Sequence, residues 1–140
     1  MPRKDHYHFA VKEALEKEGW TITDDPLTVQ TPGTEFQIDL AAERGVISAE
    51  KGGEKIVVEI KSLIGHTFFY DYYQALGQFL VYRIALELVF PDRNLFLAIP
   101  FEAYYELSTS YAFRESWQRF SVNLLIFNHH EKKINKWIKY

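Results

Sequence analysis

The sequence predicts an α/β fold in which one mixed central sheet is flanked by helices. Two segments, residues 5–18 and 70–88, carry apolar residues at helical spacing, and Lys55 to Lys61 is a β-branched run typical of a strand, with charged residues near its end. Apolar residues make up 47% of the chain and aromatic residues 16%, which is enough for a packed core. The 140 residues predict one domain over residues 1–140, because single cores usually hold roughly 100–200 residues.

The first half of the chain alternates short strands with turn signals. Gly19 ends the first helix, and Phe36, Ile38 and Leu40 alternate with polar residues, which predicts a strand with Asp39 on the face opposite the apolar side chains. The predicted elements are a helix over residues 5–18, a strand over 20–23, a turn at 24–26, a loop through Pro32-Gly33, a strand around 36–40, a strand over 45–49 and a tight turn at 51–54.

The second half predicts a long helix between strands. That helix contains no proline and ends before Pro91. The predicted elements are a strand over residues 55–61, the helix over 70–88, a strand over 95–99, helical segments over 101–107 and 111–119, a strand over 122–127, a turn at 128–130 and a strand over 133–139. His129-His130 falls in that turn and is interpreted as an exposed loop rather than a metal-binding pair.

Composition excludes several classes of protein. The chain has no cysteine, which rules out disulfide scaffolds, zinc–thiolate sites and cysteine nucleophiles. No run reaches the roughly 18 apolar residues of a membrane span, and the charged N-terminal segment is not a signal peptide, so we expect a cytoplasmic protein that does not contact a membrane. The net charge of −3 lacks a general basic footprint, so that any nucleic-acid site must be local or assisted by a metal ion.

Three charged residues form the most informative pattern. Glu59 and Lys61 lie two apart in a predicted strand and therefore share a face, while Ile60 points to the other face. If the strand that carries Asp39 is a neighbour, two carboxylates and an ammonium group meet. Carboxylate oxygens are ligands that Mg²⁺ prefers, and a lysine can stabilise charge that develops on a phosphodiester. The alternative is that Asp39 caps a bend and that Glu59 and Lys61 form the solvated face of an edge strand.

Polar and aromatic residues of the long helix also permit two interpretations. Gln78 and Tyr82 lie one turn apart on the same face, either as ordinary helix surface or as part of a site. A dense aromatic cluster at the start of this helix is either core or a platform for bases or for a partner protein; its members are Phe68, Phe69, Tyr70, Tyr72 and Tyr73. His6 and His8 lie two residues apart, which places them on different helix faces and argues against a shared metal ion.

The pattern of Asp39, Glu59-Ile60-Lys61 and Gln78-x-x-x-Tyr82 resembles the PD-(D/E)XK nuclease superfamily, and its Gln/Tyr pair is closest to the RecB-like branch. A longer set of segments resembles the XisH family, known from cyanobacteria as controlling factors for excision of the fdxN element. These segments are Asp5-His6-Tyr7-His8 with Val11-Lys12, Gly19-Trp20-Thr21-Ile22-Thr23, Ile38-Asp39-Leu40, Ala49-Glu50-Lys51-Gly52-Gly53-Glu54-Lys55, Val58-Glu59-Ile60-Lys61-Ser62 and Ala75-Leu76-Gly77-Gln78-Phe79.

The resemblance implies a restriction-endonuclease-like fold and a role for each matching residue. Asp39 and Glu59 would bind Mg²⁺ or Mn²⁺ together with the carbonyl of Ile60, and Lys61 would be the catalytic lysine. Gln78, Tyr82 and His8 would support the substrate phosphate or the lysine. Ile38 stands where the superfamily has proline. Related nucleases often add an acidic residue from the first helix, and here the candidates are Asp5, Glu13 and Glu16.

Two functions follow from the resemblance. The first is a controlling factor for excision of a DNA element, acting on DNA as a Mg²⁺-dependent endonuclease. The second is a non-catalytic accessory factor that binds an XisI-like partner protein, a site-specific recombinase or both. A toxin–antitoxin or defence module with an unknown target stays open as a third. The sequence leaves open whether the chain also forms a homo-oligomer.

Overall fold

The computed structural model describes residues 4–45, 53–65 and 67–140. Its helices are α1 (Lys4–Lys17), α2 (Phe68–Val89), α3 (Phe101–Ser108) and α4 (Tyr111–Arg119). Its strands are β1 (Thr21–Asp24), β2 (Leu27–Thr31), β3 (Thr34–Ile38), β4 (Leu40–Arg44), β5 (Glu54–Ile60), β6 (Asn94–Pro100), β7 (Leu124–Asn128) and β8 (Lys133–Ile138). All four helices agree with the predicted segments to within two residues at each end.

Six of these strands form one mixed sheet in the order β1-β4-β5-β6-β7-β8. The β5–β6 and β6–β7 pairs are parallel, whereas the outer pairs are antiparallel. The parallel β5–β6 pair requires a crossover connection, which α2 supplies. The prediction of a mixed sheet flanked by helices is therefore confirmed.

Helices cover both faces of this sheet. On one face Tyr7, Val11 and Leu15 of α1 pack against alternate residues of β5, including Val58 and Ile60. The opposite face carries a second cluster of buried residues, in which α2, α3 and α4 pack against the sheet with β2 and β3. Since successive side chains of a strand point to opposite faces, Glu59 points to the α2 face.

The predicted loop through Pro32-Gly33 is wrong over residues 27–31, which form β2. This strand pairs with β3 in a separate antiparallel hairpin. Leu27 and Val29 are buried and alternate with exposed neighbours, so that period-2 alternation is present in the sequence. The flanking Pro26 and Pro32 led to the loop prediction, because proline usually marks a turn or a strand end. The hairpin packs on α2 and covers part of the second cluster.

The predicted strand around residues 36–40 is in fact two strands that belong to different sheets. The chain leaves the hairpin after Ile38 and enters the main sheet at Leu40, so that Asp39 lies at the joint. Ile38 is buried in the cluster beneath α2, and Leu40 is buried in the cluster beneath α1. The two side chains therefore do not share the face that their alternation predicted.

The predicted strands around β1, β5, β6, β7 and β8 are confirmed, with shifts of a few residues at their ends. Gly45 is not part of a strand, and the rest of the strand predicted at 45–49 lies outside the described residues, as do residues 51–52 of the turn predicted at 51–54, whereas Glu54 begins β5. Within the described ranges, no helix is both long and apolar enough to cross a membrane.

Candidate active site

The register of β4 and β5 brings Asp39 and Glu59 together. These strands are antiparallel, with Leu40 opposite Val58, so Asp39 and Glu59 occupy the next pair of positions. They are 20 residues apart in the chain, and β5 lies in the interior of the sheet between β4 and β6. Glu59 is only 6% exposed, which overturns the alternative interpretation of a solvated edge strand.

Short contacts connect the charged groups. The backbone N–H of Ile60 donates a hydrogen bond to Asp39 Oδ2 at 2.8 Å, and the backbone N–H of Asp39 donates to Glu59 Oε1 at 3.3 Å. Lys61 Nζ lies 3.3 Å from Glu59 Oε2. The N–H of Lys61 donates to the carbonyl of Ala98 at 2.9 Å, which holds this residue beside β6 although β5 ends at Ile60. The structure thus brings together Asp39, Glu59 and Lys61.

The electrostatic environment of Glu59 is unfavourable for a negative charge. Burial, and after it the negative charge of Asp39, raise the pKa of its carboxyl from 4.5 to about 7. The ammonium group of Lys61 and a hydrogen bond from the backbone of Asp39 partly oppose this rise in pKa. Paired, buried carboxylates with a perturbed pKa are a common property of functional sites.

Two residues of α2 belong to the same neighbourhood. Gln78 Nε2 donates a hydrogen bond to the hydroxyl of Tyr82 at 2.7 Å. Burial raises the pKa of the Tyr82 phenol, and the negative charges of Glu59 and Asp39 raise it as well. Tyr82 is therefore near enough to the carboxylates for their charges to affect its phenol. Gln78 and Tyr82 are both half-buried, so the pair is not ordinary solvated helix surface.

Helix α1 does not lie beside the carboxylate pair. Its packed face covers the side of the sheet opposite Glu59. His8 Nε2 is 2.8 Å from Asp25 Oδ1, in a pair that also includes Lys12. Among the described side chains, His8 therefore has its contact with Asp25 and not with the carboxylate pair.

Of the three acidic residues considered on the first helix, Glu13 and Glu16 do not add a ligand to this site. Glu13 lies 3.6 Å from Lys132 Nζ, and Glu16 is exposed. The side chain of Asp5 lies outside the described residues. Within the described part of the chain, Asp39 and Glu59 are the acidic groups that the fold places together at this site.

The donor set of the site fits a hard divalent cation. The buried Glu59 and the half-buried Asp39 supply carboxylate oxygen ligands, and one ammonium group is too little charge to neutralise both. Oxygen-rich sites of this kind suit Mg²⁺ or Mn²⁺. Asp39 and Glu59 are the residues that could hold such an ion, with the carbonyl of Ile60 as a further oxygen.

Sequence reasoning missed the roles of two residues, Phe36 beside the site and Asp25 at a contact with α1 away from it. The ring of Phe36, on β3, lies edge-on to Tyr82 with 5.7 Å between the ring centroids, so the hairpin helps to position the phenol. Asp25, which holds His8 and Lys12, was interpreted only as a turn residue. A strand pattern at residues 27–31 was the available signal for the hairpin, whereas no local signal identifies the partner of Asp25.

The fold and the site define an α/β protein with a buried carboxylate pair and a lysine, supported from the hairpin and α2. The family model of the XisH protein matches residues 1–135. The chain therefore belongs to the XisH family.

Two solved structures support this assignment. One is an XisH family protein from Nostoc punctiforme PCC 73102, with a TM-score of 0.86 and 38% identity over 96% of this chain and 99% of that chain. The other is an fdxN element excision controlling factor protein from Anabaena variabilis, with a TM-score of 0.88 and 38% identity over the same shares of the two chains. A search among curated proteins found no match.

Proposed function

We propose that this protein is a controlling factor for excision of a DNA element and that it acts on DNA through a PD-(D/E)XK-type site on a restriction-endonuclease-like fold. The observation that carries the proposal is the antiparallel register that places Asp39 opposite Glu59, with Lys61 Nζ at 3.3 Å from the Glu59 carboxylate. The likeness to the fdxN element excision controlling factor from Anabaena variabilis supports the biological role.

In this proposal Asp39 and Glu59 hold Mg²⁺ or Mn²⁺, with the carbonyl of Ile60 as a third oxygen. A divalent ion supplies Lewis-acid stabilisation of a phosphodiester and lowers the pKa of water. The hydrogen bond from the N–H of Ile60 fixes Asp39 Oδ2, which orients the second oxygen of that carboxylate. The buried Glu59 gains a counter-charge that Lys61 alone does not supply.

Lys61 has the position of a group that acts on the phosphate. Its side chain is 32% exposed while that of Glu59 is 8% exposed, so Lys61 can reach both the buried carboxylate and a phosphodiester at the surface. A cationic ammonium group at this point stabilises the negative charge that develops on the phosphate when water attacks. It also orients that water by hydrogen bonding.

Tyr82 and Gln78 act as positioning residues. The Tyr82 oxygen accepts a hydrogen bond from Gln78, which leaves the phenolic hydrogen available for an acceptor such as a phosphate oxygen or a carboxylate of the site. Burial and the nearby carboxylates keep the pKa of the phenol above its ordinary value, so Tyr82 remains a donor at neutral pH.

The test combines metal binding with cleavage. Calorimetric titration with Mg²⁺ and with Mn²⁺ is compared between the wild type and the Asp39→Ala variant, and supercoiled plasmid and single-stranded DNA are assayed in parallel. We expect binding and cleavage in the wild type and loss of both in the variant. Lys61→Ala should retain metal binding and lose cleavage by roughly 10²-fold or more, as when one stabilising donor is removed from an active site.

Glu35→Gln is the matched control, because it removes an exposed carboxylate of β3. It should bind metal and cleave DNA as the wild type does. Absence of metal binding and cleavage in folded wild-type protein would refute the nuclease proposal, as would cleavage that is unaffected by Lys61→Ala at saturating Mg²⁺.

A second candidate function is supported by an apolar surface on α2. One side of this helix exposes side chains at spacings of three and four residues on either side of Gly77, namely Tyr70, Tyr73, Val81, Ile84 and Leu88, which are between 49% and 67% exposed. Contiguous exposed apolar surface is typical of a protein-binding site. The chain would then act as an accessory factor that binds an XisI-like protein, a site-specific recombinase or a second copy of itself.

Charge introduced on this surface separates the two functions. The double variant Ile84→Glu, Leu88→Glu should lose binding to a co-expressed XisI-like protein in a pull-down assay, while Thr28→Glu adds a charge on exposed β2 and should keep it. Size-exclusion chromatography of the protein alone detects self-association through the same surface. Equal binding by all three proteins, with no change in molecular mass, would exclude this surface as the contact.

A further inference from the structure

Three side chains of types that can ligate a metal ion lie together, apart from the carboxylate pair. Glu102, His129 and His130 each offer one ligand atom, and these atoms all lie within 4.8 Å of one another. His129 is only 6% exposed, which contradicts the interpretation of this residue as part of an exposed loop, whereas His130 is exposed in the turn as predicted. Neither the XisH-family match nor the proposed nuclease site assigns a role to these three residues.

The topology of the sheet explains why the group forms. Strands β6 and β7 are parallel neighbours, and Pro100 lies opposite Phe127 near their carboxyl ends. Helix α3 begins directly after β6, which places Glu102 in its first turn, and His129-His130 follows β7 directly. Parallel strands end at the same edge of a sheet, where side chains from successive loops meet.

His6, from α1, orients the buried imidazole. His6 Nε2 lies 2.9 Å from His129 Nδ1, and the ring of Tyr7 lies against that of His129 with 4.8 Å between centroids. When His129 Nδ1–H donates to His6, the lone pair of His129 is on Nε2, which is the atom that lies 3.9 Å from Glu102 Oε1. A second hydrogen bond of this kind is the usual way in which a protein fixes a metal-binding histidine.

We propose that Glu102, His129 and His130 bind a divalent transition-metal ion of the zinc class, with His6 as the positioning residue for His129. Two imidazole nitrogens and one carboxylate oxygen suit Zn²⁺ and its neighbours and leave one position for water. This donor set differs from the all-oxygen set of Asp39 and Glu59, so the two sites select different metals.

The three ligand atoms, which lie within 4.8 Å of one another, must move closer together to share one ion. Ligand atoms of a tetrahedral zinc ion, each about 2.0–2.1 Å from the metal, lie roughly 3.3 Å apart. His129 Nε2 and Glu102 Oε1 are 3.9 Å apart, so a movement of about half an ångström meets this requirement for that pair. Glu102 and His130 are exposed and can rotate, while the buried His129 stays in place.

A cavity beside the group gives access to solvent and room for the ion. Its volume is about 360 Å³, and Tyr7, Pro100, Glu102, His129 and His130 contribute to its lining. The lining also includes Ser62, Leu63 and Ile64, the segment directly after Lys61. A bound ion would therefore connect α1, α3 and the turn after β7 at the edge of the sheet next to the catalytic lysine.

The test uses full-length protein without a polyhistidine tag, titrated calorimetrically with Zn²⁺ and followed by the visible absorption of Co²⁺. We expect one equivalent of metal in the wild type. His130→Asn and Glu102→Gln remove exposed ligands, so the fold should persist, which thermal unfolding by circular dichroism checks. Each variant should bind Zn²⁺ at least tenfold more weakly and lose the Co²⁺ absorption bands.

Two further variants distinguish this site from the carboxylate pair and from the other histidine of α1. His8→Gln removes an imidazole of the same helix that contacts Asp25 instead, and Asp39→Asn disables the carboxylate pair; both should bind Zn²⁺ as the wild type does. The proposal is overturned if the wild type binds no Zn²⁺ or if His130→Asn and Glu102→Gln bind as tightly as the wild type. It is also overturned if binding is lost in Asp39→Asn and kept in His130→Asn, because the ion then sits at the carboxylate pair.

Discussion

The raised pKa of Glu59 predicts that the stability of the metal-free protein falls between mildly acidic and mildly alkaline pH. The pKa of this carboxyl is about 7 in the folded protein and 4.5 for an ordinary glutamate. Above pH 4.5 the unfolded chain has released this proton while the folded protein still binds it, so stability decreases as the pH rises towards 7. A shift of this size corresponds to about 3 kcal/mol in the free energy of unfolding.

Glu59→Gln removes the titrating group and keeps the shape of the side chain. In urea unfolding with EDTA present, the variant and the wild type should have similar stability at pH 5. At pH 8 the variant should be more stable, by up to about 3 kcal/mol. The exposed Glu35→Gln variant serves as the control, and its stability should follow that of the wild type at both pH values.

The effect of Mg²⁺ on stability tests whether Glu59 belongs to the proposed metal site. A cation bound between Asp39 and Glu59 removes the penalty of the buried charge, so Mg²⁺ should stabilise the wild type at pH 8 and should have little effect on the Glu59→Gln variant. The reasoning about Glu59 is wrong if the difference in stability between wild type and variant is the same at pH 5 and pH 8.

Four other substitutions test the site and the elements around it. Tyr82→Phe leaves Gln78 without its acceptor and should lower stability by about 1 kcal/mol, measured by urea unfolding, while cleavage decreases at unchanged Mg²⁺ affinity. Gly33→Ala puts a side chain at φ +83° in the hairpin turn, where a Cβ meets no atom within 4 Å. The backbone strain should therefore lower stability by about 1–2 kcal/mol in thermal unfolding. Gly77→Ala, in α2 and equally free of contacts, should instead raise stability by roughly 0.5–1 kcal/mol. Asp25→Asn weakens the contacts to α1 that lower the pKa of Asp25. In the wild type, the stability that these contacts provide should be lost as the pH falls through that lowered pKa. The variant should show a smaller loss of stability in an acid titration followed by circular dichroism.

The helices and the inner strands could be predicted because their patterns are local. The β-branched run before Glu59 and the long apolar helix before Pro91 both contain their own signal. The pairing of Asp39 with Glu59 was an assumption at the level of sequence, since it depends on which strands become neighbours. The structure supplies that pairing through the register of β4 and β5.

The errors have a common physical cause, which is that local alternation does not identify the sheet to which a strand belongs. Phe36, Ile38 and Leu40 alternate without interruption, yet the chain changes sheets at Asp39. His129 was placed on the surface because turns are usually exposed. Its burial depends on His6, 123 positions away in the chain, and no short segment of sequence contains that information.

The interior position of β5 has a consequence for the order in which the molecule assembles. One neighbour of β5 precedes it in the chain, but the other, β6, follows it only after the whole of α2. A nascent chain that has not yet reached residue 94 presents β5 as an open edge, with Glu59 in water and ionising at its ordinary pKa. The buried environment of Glu59 thus arises only when the later strands dock, so the pKa of this carboxyl rises above its ordinary value only after β6 has been synthesised.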